Sequence, residues 1–189
     1  MGTLTRILIK GIDKEAVAKL ITNSYSIGRT TILSSRRKEV FLEKMNYAFI
    51  IFDAYLEDWT DIEFNFNKTV EEHDVFLFRI SKDFKTIVLF GYEQTTSGDT
   101  RFLVVENGEI VRLIHQKAYY DPDRFIMEEN FGEKLQFEKS FSYPEVGQDL
   151  ENYKFLDFYD LQEMFVDAGY KGKSRTITDQ KYLHLEYLK

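Results

Sequence analysis

The chain has 189 residues, of which 25 are Lys or Arg and 32 are Asp or Glu, for a formal charge of −7. It contains no cysteine, which excludes a disulfide framework, a thiolate metal site and a cysteine nucleophile. The acidic balance excludes nucleic-acid binding through a global positive field, and 43% hydrophobic with 30% charged residues is the composition of a folded globular protein.

Thr5–Ile9 reads as a short strand. Asp13–Ile21 reads as a helix, with Ala16, Val17, Leu20 and Ile21 on one side. Arg37–Met45 fits helix or strand, and Tyr47–Phe52 fits a strand. Ile62, Phe64 and Phe66 alternate with Glu63, Asn65 and Asn67, the pattern of a half-buried strand. Phe76, Phe78 and Ile80 alternate with Leu77 and Arg79 and give another strand, joined by a polar connection at Ser81–Lys85 to a β-rich run from Thr86 to Tyr92.

The strongest local signal is Asn107-Gly108, because both central positions of a type I′ turn need positive φ. It lies between Arg101–Glu106 and Glu109–His115, which therefore form a hairpin. A two-residue loop sets Val105 against Ile110, Val104 against Val111 and Phe102 against Leu113. Both faces of this hairpin are largely apolar, so it is expected to be central and covered on both sides. Glu106 faces Glu109, a mild repulsion that a cation or solvent must relieve.

Ser97–Asp99 and Tyr143–Asn152 are the most loop-like stretches. Asp160 can cap a helix, with Glu163 completing a capping box. Leu161, Met164, Phe165 and Ala168 share one helical face, and Gly169 ends it. Tyr182–Leu188 is a last strand, in which Leu183, Leu185 and Tyr187 oppose His184 and Glu186. The expected fold is α+β: a single globular domain, 1–189, built on a mainly antiparallel meander with a few helices on one face or at the ends. Strand order is open. Ile7-Leu8-Ile9 is too short for a signal core, and no apolar run approaches the roughly 20 residues of a spanning helix. A soluble, cytoplasmic protein is therefore expected.

Candidate chemistry is thin. Gly169–Ser174 resembles a phosphate loop, but the required first glycine is Asp167, and a helix precedes the segment where a strand should. Ser35-Arg-Arg-Lys38 lacks the partner elements of the serine hydrolases that use Ser-x-x-Lys. His73, His115 and His184 belong to no ligand-spaced motif, although His184 and Glu186 share a strand face. No catalytic residue, metal site or cofactor is expected. Asn67-Lys68-Thr69 is a glycosylation sequon that matters only on a secretory route.

Carboxylates cluster around Trp59 (Asp53, Glu57, Asp58, Asp61 and Glu63) and after the hairpin (Asp121, Asp123, Glu128 and Glu129). Solvated acidic faces are the ordinary reading of such clusters. Phe64, Phe66, Phe76, Phe78 and Phe90 fall on strand faces and read as core, whereas Tyr119, Tyr120, Tyr143, Tyr153, Phe155, Phe158 and Tyr159 fall among acidic residues in loop-like stretches. The favoured function is thus a non-catalytic interaction module, an immunity-like or accessory protein, presenting an acidic, tyrosine-rich loop face to a basic protein partner. The alternative is a small-ligand-binding protein or enzyme with a pocket near the end of the Arg101–His115 hairpin. The residues proposed to bind are Trp59, Glu93, His115, Tyr119, Tyr120, Asp121 and Asp123.

Overall fold

The computed structural model describes residues 3–25, 27–35, 49–53, 58–64, 70–120, 123–171 and 180–187, and its fold is α+β with antiparallel sheet dominant. In chain order the elements are β1 (Thr3–Lys10), α1 (Lys14–Ser24), β2 (Ile27–Ser35), β3 (Phe49–Asp53), β4 (Trp59–Phe64), α2 (Val70–Phe84), β5 (Ile87–Gln94), β6 (Asp99–Glu106), β7 (Glu109–Tyr120), β8 (Asp123–Gly132), a 3-10 turn (Phe137–Ser140), α3 (Phe158–Asp167) and β9 (Gln180–Tyr187). The chain forms two compact units. One comprises Met1–Thr5 and Phe78–Lys171, the other Arg6–Leu77 and Gly172–Lys189.

The second unit holds five antiparallel strands in the order β2–β9–β3–β4–β1. It is not a meander, because the last strand of the chain inserts between β2 and β3. α1 starts at Asp13, whose carboxylate accepts the Ala16 amide, and it buries Val17, Ala18 and Ile21. Tyr25 follows α1 and packs edge-on against Phe49 and Phe76, while its hydroxyl lies 3.0 Å from His73 Nδ1. β4 is buried along its whole length, so Glu63 and Asp61 are not part of a solvated acidic face. Arg6 meets Asp61 in a buried two-point ion pair at 2.9 and 3.3 Å. His184, on the strand face opposite Leu183 and Leu185, is nonetheless only 1% exposed, with Nδ1 3.5 Å from Glu186 Oε1.

Phe76–Ile80 is helix, not strand. His73, Phe76, Leu77, Ile80 and Ser81 are all buried, and they recur at intervals of three and four residues. A five-residue window shows both periods, and the alternation of Phe76, Phe78 and Ile80 is incidental to the helical one. Ser81–Phe84 is accordingly the last helical turn rather than a connection. Arg37–Met45, Phe66, Asn67–Thr69 and Gly172–Ser174 lie outside the described residues.

In the first unit, β5–β6–β7–β8 is the expected antiparallel meander. Asn107 and Gly108 both have positive φ, as the turn demands. A Cβ on Gly108 would also lie 2.8 Å from Lys82 Cβ, because the hairpin tip seats on the end of α2: the Gly108 amide donates to Ser81 Oγ and the Asn107 amide to Thr86 O. Glu106 and Glu109 pair as expected, and both are exposed. Phe102, Leu103, Val105 and Ile114 are fully buried, which places both faces of the hairpin in the core.

The register beyond the tip differs from the expected one. Val105 pairs with Ile110, but Val104 pairs with Arg112, Leu103 with Leu113 and Phe102 with Ile114. Val111 is the extra residue of a β-bulge and is 44% exposed. β7 also continues past His115 to Tyr120 and pairs with β8, so this stretch is strand rather than loop.

The bulge delivers Arg112 into the core. Its guanidinium donates to both Glu138 oxygens, to the Leu113 and Phe131 carbonyls and to Asn130 Oδ1, and neither Arg112 nor Glu138 is exposed. On the same sheet side the Gln116 amide donates to Lys154 O at 2.8 Å and accepts from the Leu156 amide at 2.7 Å, which ties the 154–156 segment to the sheet. α3 follows, with Leu161, Met164 and Phe165 buried as expected. Its cap is Asp157 and not Asp160. Asp157 accepts the Tyr159 and Asp160 amides, and Asp160 reaches back to the Asp157 amide, so the capping box sits one turn earlier than expected. Gly169, at φ 103°, stops the helix.

Candidate functional site

Two polar groups of side chains lie on opposite faces of the meander. The first is a row across all four strands: Tyr92 of β5 pairs with Arg101 of β6, Arg101 with His115 of β7, and His115 with Glu129 of β8. Paired residues project to one face, and Asp99, two residues before Arg101, projects to the same one. Asp99 is the hub. Its Oδ1 accepts the Tyr92 hydroxyl at 2.7 Å and lies 2.8 Å from His115 Nε2, and Tyr92 Oη is 3.2 Å from that nitrogen. His115 Nδ1 is 3.5 Å from Glu129 Oε2, which also meets Arg101 Nε at 3.4 Å. The Asp99 and His115 side chains are 17% and 15% exposed. Burial works against the Asp99 charge, but the hydrogen bonds from His115 and Tyr92 prevail and hold its carboxyl below the usual range.

This row is poorly arranged for acid–base or nucleophilic chemistry. A histidine acting as base needs one nitrogen on the reacting group and the other on an orienting partner. Both His115 nitrogens face carboxylates, and among the described residues no Ser or Thr hydroxyl is bonded to His115. The arrangement is that of a two-sided clamp joining β6, β7 and β8.

The second group lies at the start of α3. Glu93 is adjacent to Tyr92 and therefore projects from the opposite face of β5. The Phe158 amide donates to it, and the carboxylates of Asp157 and Asp160 are its charged neighbours. Burial, then repulsion from Asp157, raises the Glu93 carboxyl above its ordinary range, against the Phe158 hydrogen bond. Lys154 Nζ meets Asp160 Oδ2 at 2.7 Å. The rings of Phe158 and Tyr159 stand beside this group, edge to face, with centroids 5.5 Å apart, and both are exposed.

The residues singled out from sequence are thus distributed rather than gathered. His115 and Glu93 lie on the two faces of the meander, in separate groups. Tyr119 is an exposed strand residue whose hydroxyl donates to Glu128 at 2.7 Å, with Lys117 over its ring. Tyr120 and Asp123 pair across β7 and β8. Asp121 lies outside the described residues. Trp59 belongs to the five-strand unit, where it is buried in β4 beside Lys10. The sequence reading missed Asp99, Tyr92, Arg101 and Glu129 as partners of His115. Their signal was the hairpin register, which the Val111 bulge displaces by one residue. Asp157 was missed because Asp160–Glu163 offers a second capping pattern three residues on.

Charge is also unevenly placed. Residues 123–171 contain twelve carboxylates and five basic residues, a balance of −7, while the other 140 residues carry twenty of each sign. Exposed aromatic side chains interrupt this acidic stretch at Phe125, Phe131, Tyr153, Phe158 and Tyr159. Among the described residues no group of three or more His, Asp or Glu side chains is placed to hold a metal ion, and no helix is long and apolar enough to cross a membrane. No protein-family model, curated protein or solved structure matches the chain.

Proposed function

We propose that the protein is a non-catalytic interaction module that binds a basic protein partner through the surface of residues 123–171. The observation that carries this reading is that residues 123–171 have a balance of −7 while the rest of the chain balances to zero, and that exposed aromatic rings interleave their carboxylates. Opposite potentials accelerate encounter and reject like-charged competitors. Amphipathic Tyr and Phe rings supply the apolar contact that charge alone lacks. The aromatic residues here stand on strand β8, on helix α3 and in the 145–157 segment, so they are carried on a frame and lose little freedom on binding.

Affinity capture from the source cells tests the reading, with the wild-type chain and a variant carrying Glu128→Gln, Glu133→Gln, Glu151→Gln and Glu163→Gln run side by side. The expected result is one basic protein held in a salt-dependent manner by the wild type and lost by the variant. Retention by both, or capture of an acidic protein only, sinks it.

A further inference from the structure

β8 is the end strand of the meander and pairs with β7 on one side. Its other side is covered only in part. The Met127 amide donates to Gln148 O, the Gly147 amide to Met127 O and the Leu150 amide to Phe125 O, with Ile126 bridged to Asp149 in antiparallel fashion. This cover leaves the edge at Glu145–Gln148, a turn closed by the Gln148 amide on Glu145 O with Gly147 at φ 85°. The ladder fixes which backbone groups the rest of the edge presents. The Ala118 amide donates to Gly98 O on the β6 side, so even-numbered residues of β7 turn their backbone groups toward β6. Asn130 and Gly132 pair with Ile114 and Arg112, so the N–H groups of both and the Asn130 carbonyl point away from β7. Among the described residues no backbone group outside the sheet bonds to either, and Asn130, Phe131 and Gly132 are all exposed.

An open edge is a template for another strand, and proteins commonly blunt it with lysine or proline. Glu128–Glu133 has neither and carries three glutamates. Lys134, next in the chain, is turned to the Phe141 carbonyl and the Tyr143 ring. Glu129 and Phe131 pair with His115 and Leu113, share their face, and are 42% and 57% exposed. We propose that the open edge at Glu128–Gly132 takes up an extended basic segment of the partner as a further strand. The proposal rests on the basic-partner reading above and names where and how that partner docks. The outward N–H and C=O of Asn130 form the central pair of the new ladder. The incoming residues on either side of it then lie opposite Glu129 and Phe131, where a cation meets the carboxylate and an apolar side chain meets the ring. Main-chain hydrogen bonds supply affinity and these two contacts supply selectivity. A second copy of the chain is disfavoured as the occupant, because its own three glutamates would enter the same short ladder.

Backbone amide spectra of the full chain, titrated with acetyl-Lys-Val-Lys-Val-Lys-amide, with its Glu counterpart and with the Lys peptide methylated on its backbone nitrogens, test the proposal. Methylation keeps the charge and removes the donors a ladder needs. Saturable shifts at Asn130, Phe131 and Gly132, with slowed exchange of the Asn130 and Gly132 amide protons, are expected with the unmethylated Lys peptide alone. Glu133→Lys and Phe131→Ala change exposed side chains and should each weaken that binding about two- to fivefold, the size of one cross-strand contact. Equal shifts with the methylated peptide overturn strand addition while leaving the basic-partner reading standing. Equal shifts with the Glu peptide overturn the basic occupant. Shifts at the same residues on raising the protein concentration without peptide overturn the proposal in favour of a second copy. Absence of shifts there with the Lys peptide also overturns it, and the partner-capture experiment then judges the broader reading alone.

Discussion

His115 stands directly opposite Arg101, one residue out of step with the Val105–Ile110 pair at the tip of the same hairpin. The tip register alone would set Arg101 against Ile114 and turn His115 toward the face that carries Thr100 and Phe102. A one-residue slip exchanges the two faces of a strand. Val111 absorbs that slip as a bulge, which brings His115 to Asp99 and sends Arg112 into the core. One inserted residue thus sets both the polar row and the buried ion pair.

Arg112 and Glu138 are completely buried, so removing one partner strands the other's charge. Arg112→Met should lose about 3–5 kcal/mol of unfolding free energy, and Arg112→Met with Glu138→Leu should recover most of it. Urea denaturation of the two variants and the wild type checks this. A double variant no more stable than the single one would falsify the view that stranded charge is the cost.

Asp99 makes stability depend on pH. Its folded carboxyl sits below the ordinary range, so on acidification the unfolded chain takes up the proton first. The contribution is therefore complete above the ordinary carboxylate range and disappears as pH falls through the lowered folded value. Glu93 has the opposite sign. Its raised folded carboxyl makes stability fall as pH rises from the ordinary range through the raised value. Urea midpoints between pH 3 and pH 7 should show a shallower acid loss for Asp99→Asn, and a gain near neutrality for Glu93→Gln. An unchanged acid limb in Asp99→Asn counts against the role assigned to Asp99.

Gly91 lets α3 approach β5. A Cβ there would come 2.8 Å from Phe165 Cζ, and Phe165 is a fully buried ring packed edge-on to Phe102. Gly91→Ala should destabilise by about 1–3 kcal/mol through overpacking, and adding Phe165→Leu should return part of the loss. Thermal unfolding of the pair, with coupling between the two sites as the readout, distinguishes this from a propensity effect at Gly91 alone.

The position of the α3 cap separates two sequence patterns. Asp157→Ala should cost about 0.5–2 kcal/mol, because two amides at the start of the helix lose their acceptor. Glu163→Ala, at an exposed mid-helix site, should stay within about 0.5 kcal/mol of wild type. Equal losses at both positions would place the helix start where the Asp160–Glu163 pattern puts it.

Composition and local pattern alone determined the α+β class, the Asn107-Gly108 turn, a helix after Asp13, the apolar face of Leu161, Met164 and Phe165, and the covered faces of the central hairpin. These depend on φ preferences and on apolar spacing within a few residues, which the chain carries wherever it goes. Tertiary structure decided the rest. It made α2 from a segment whose short window also alternates, because burial of His73, Phe76, Leu77, Ile80 and Ser81 selects the helical period. It placed β9 between β2 and β3, a pairing between distant parts of the chain that no local signal encodes. It also settled what the acidic residues do. Asp61 and Glu138 became buried partners of Arg6 and Arg112, Asp99 and Glu129 closed on His115, and Glu93 met the cap of α3. Whether a carboxylate is a solvated charge or a buried ion pair depends on which side chain lies opposite it, and strand register across bulges sets that, not sequence distance.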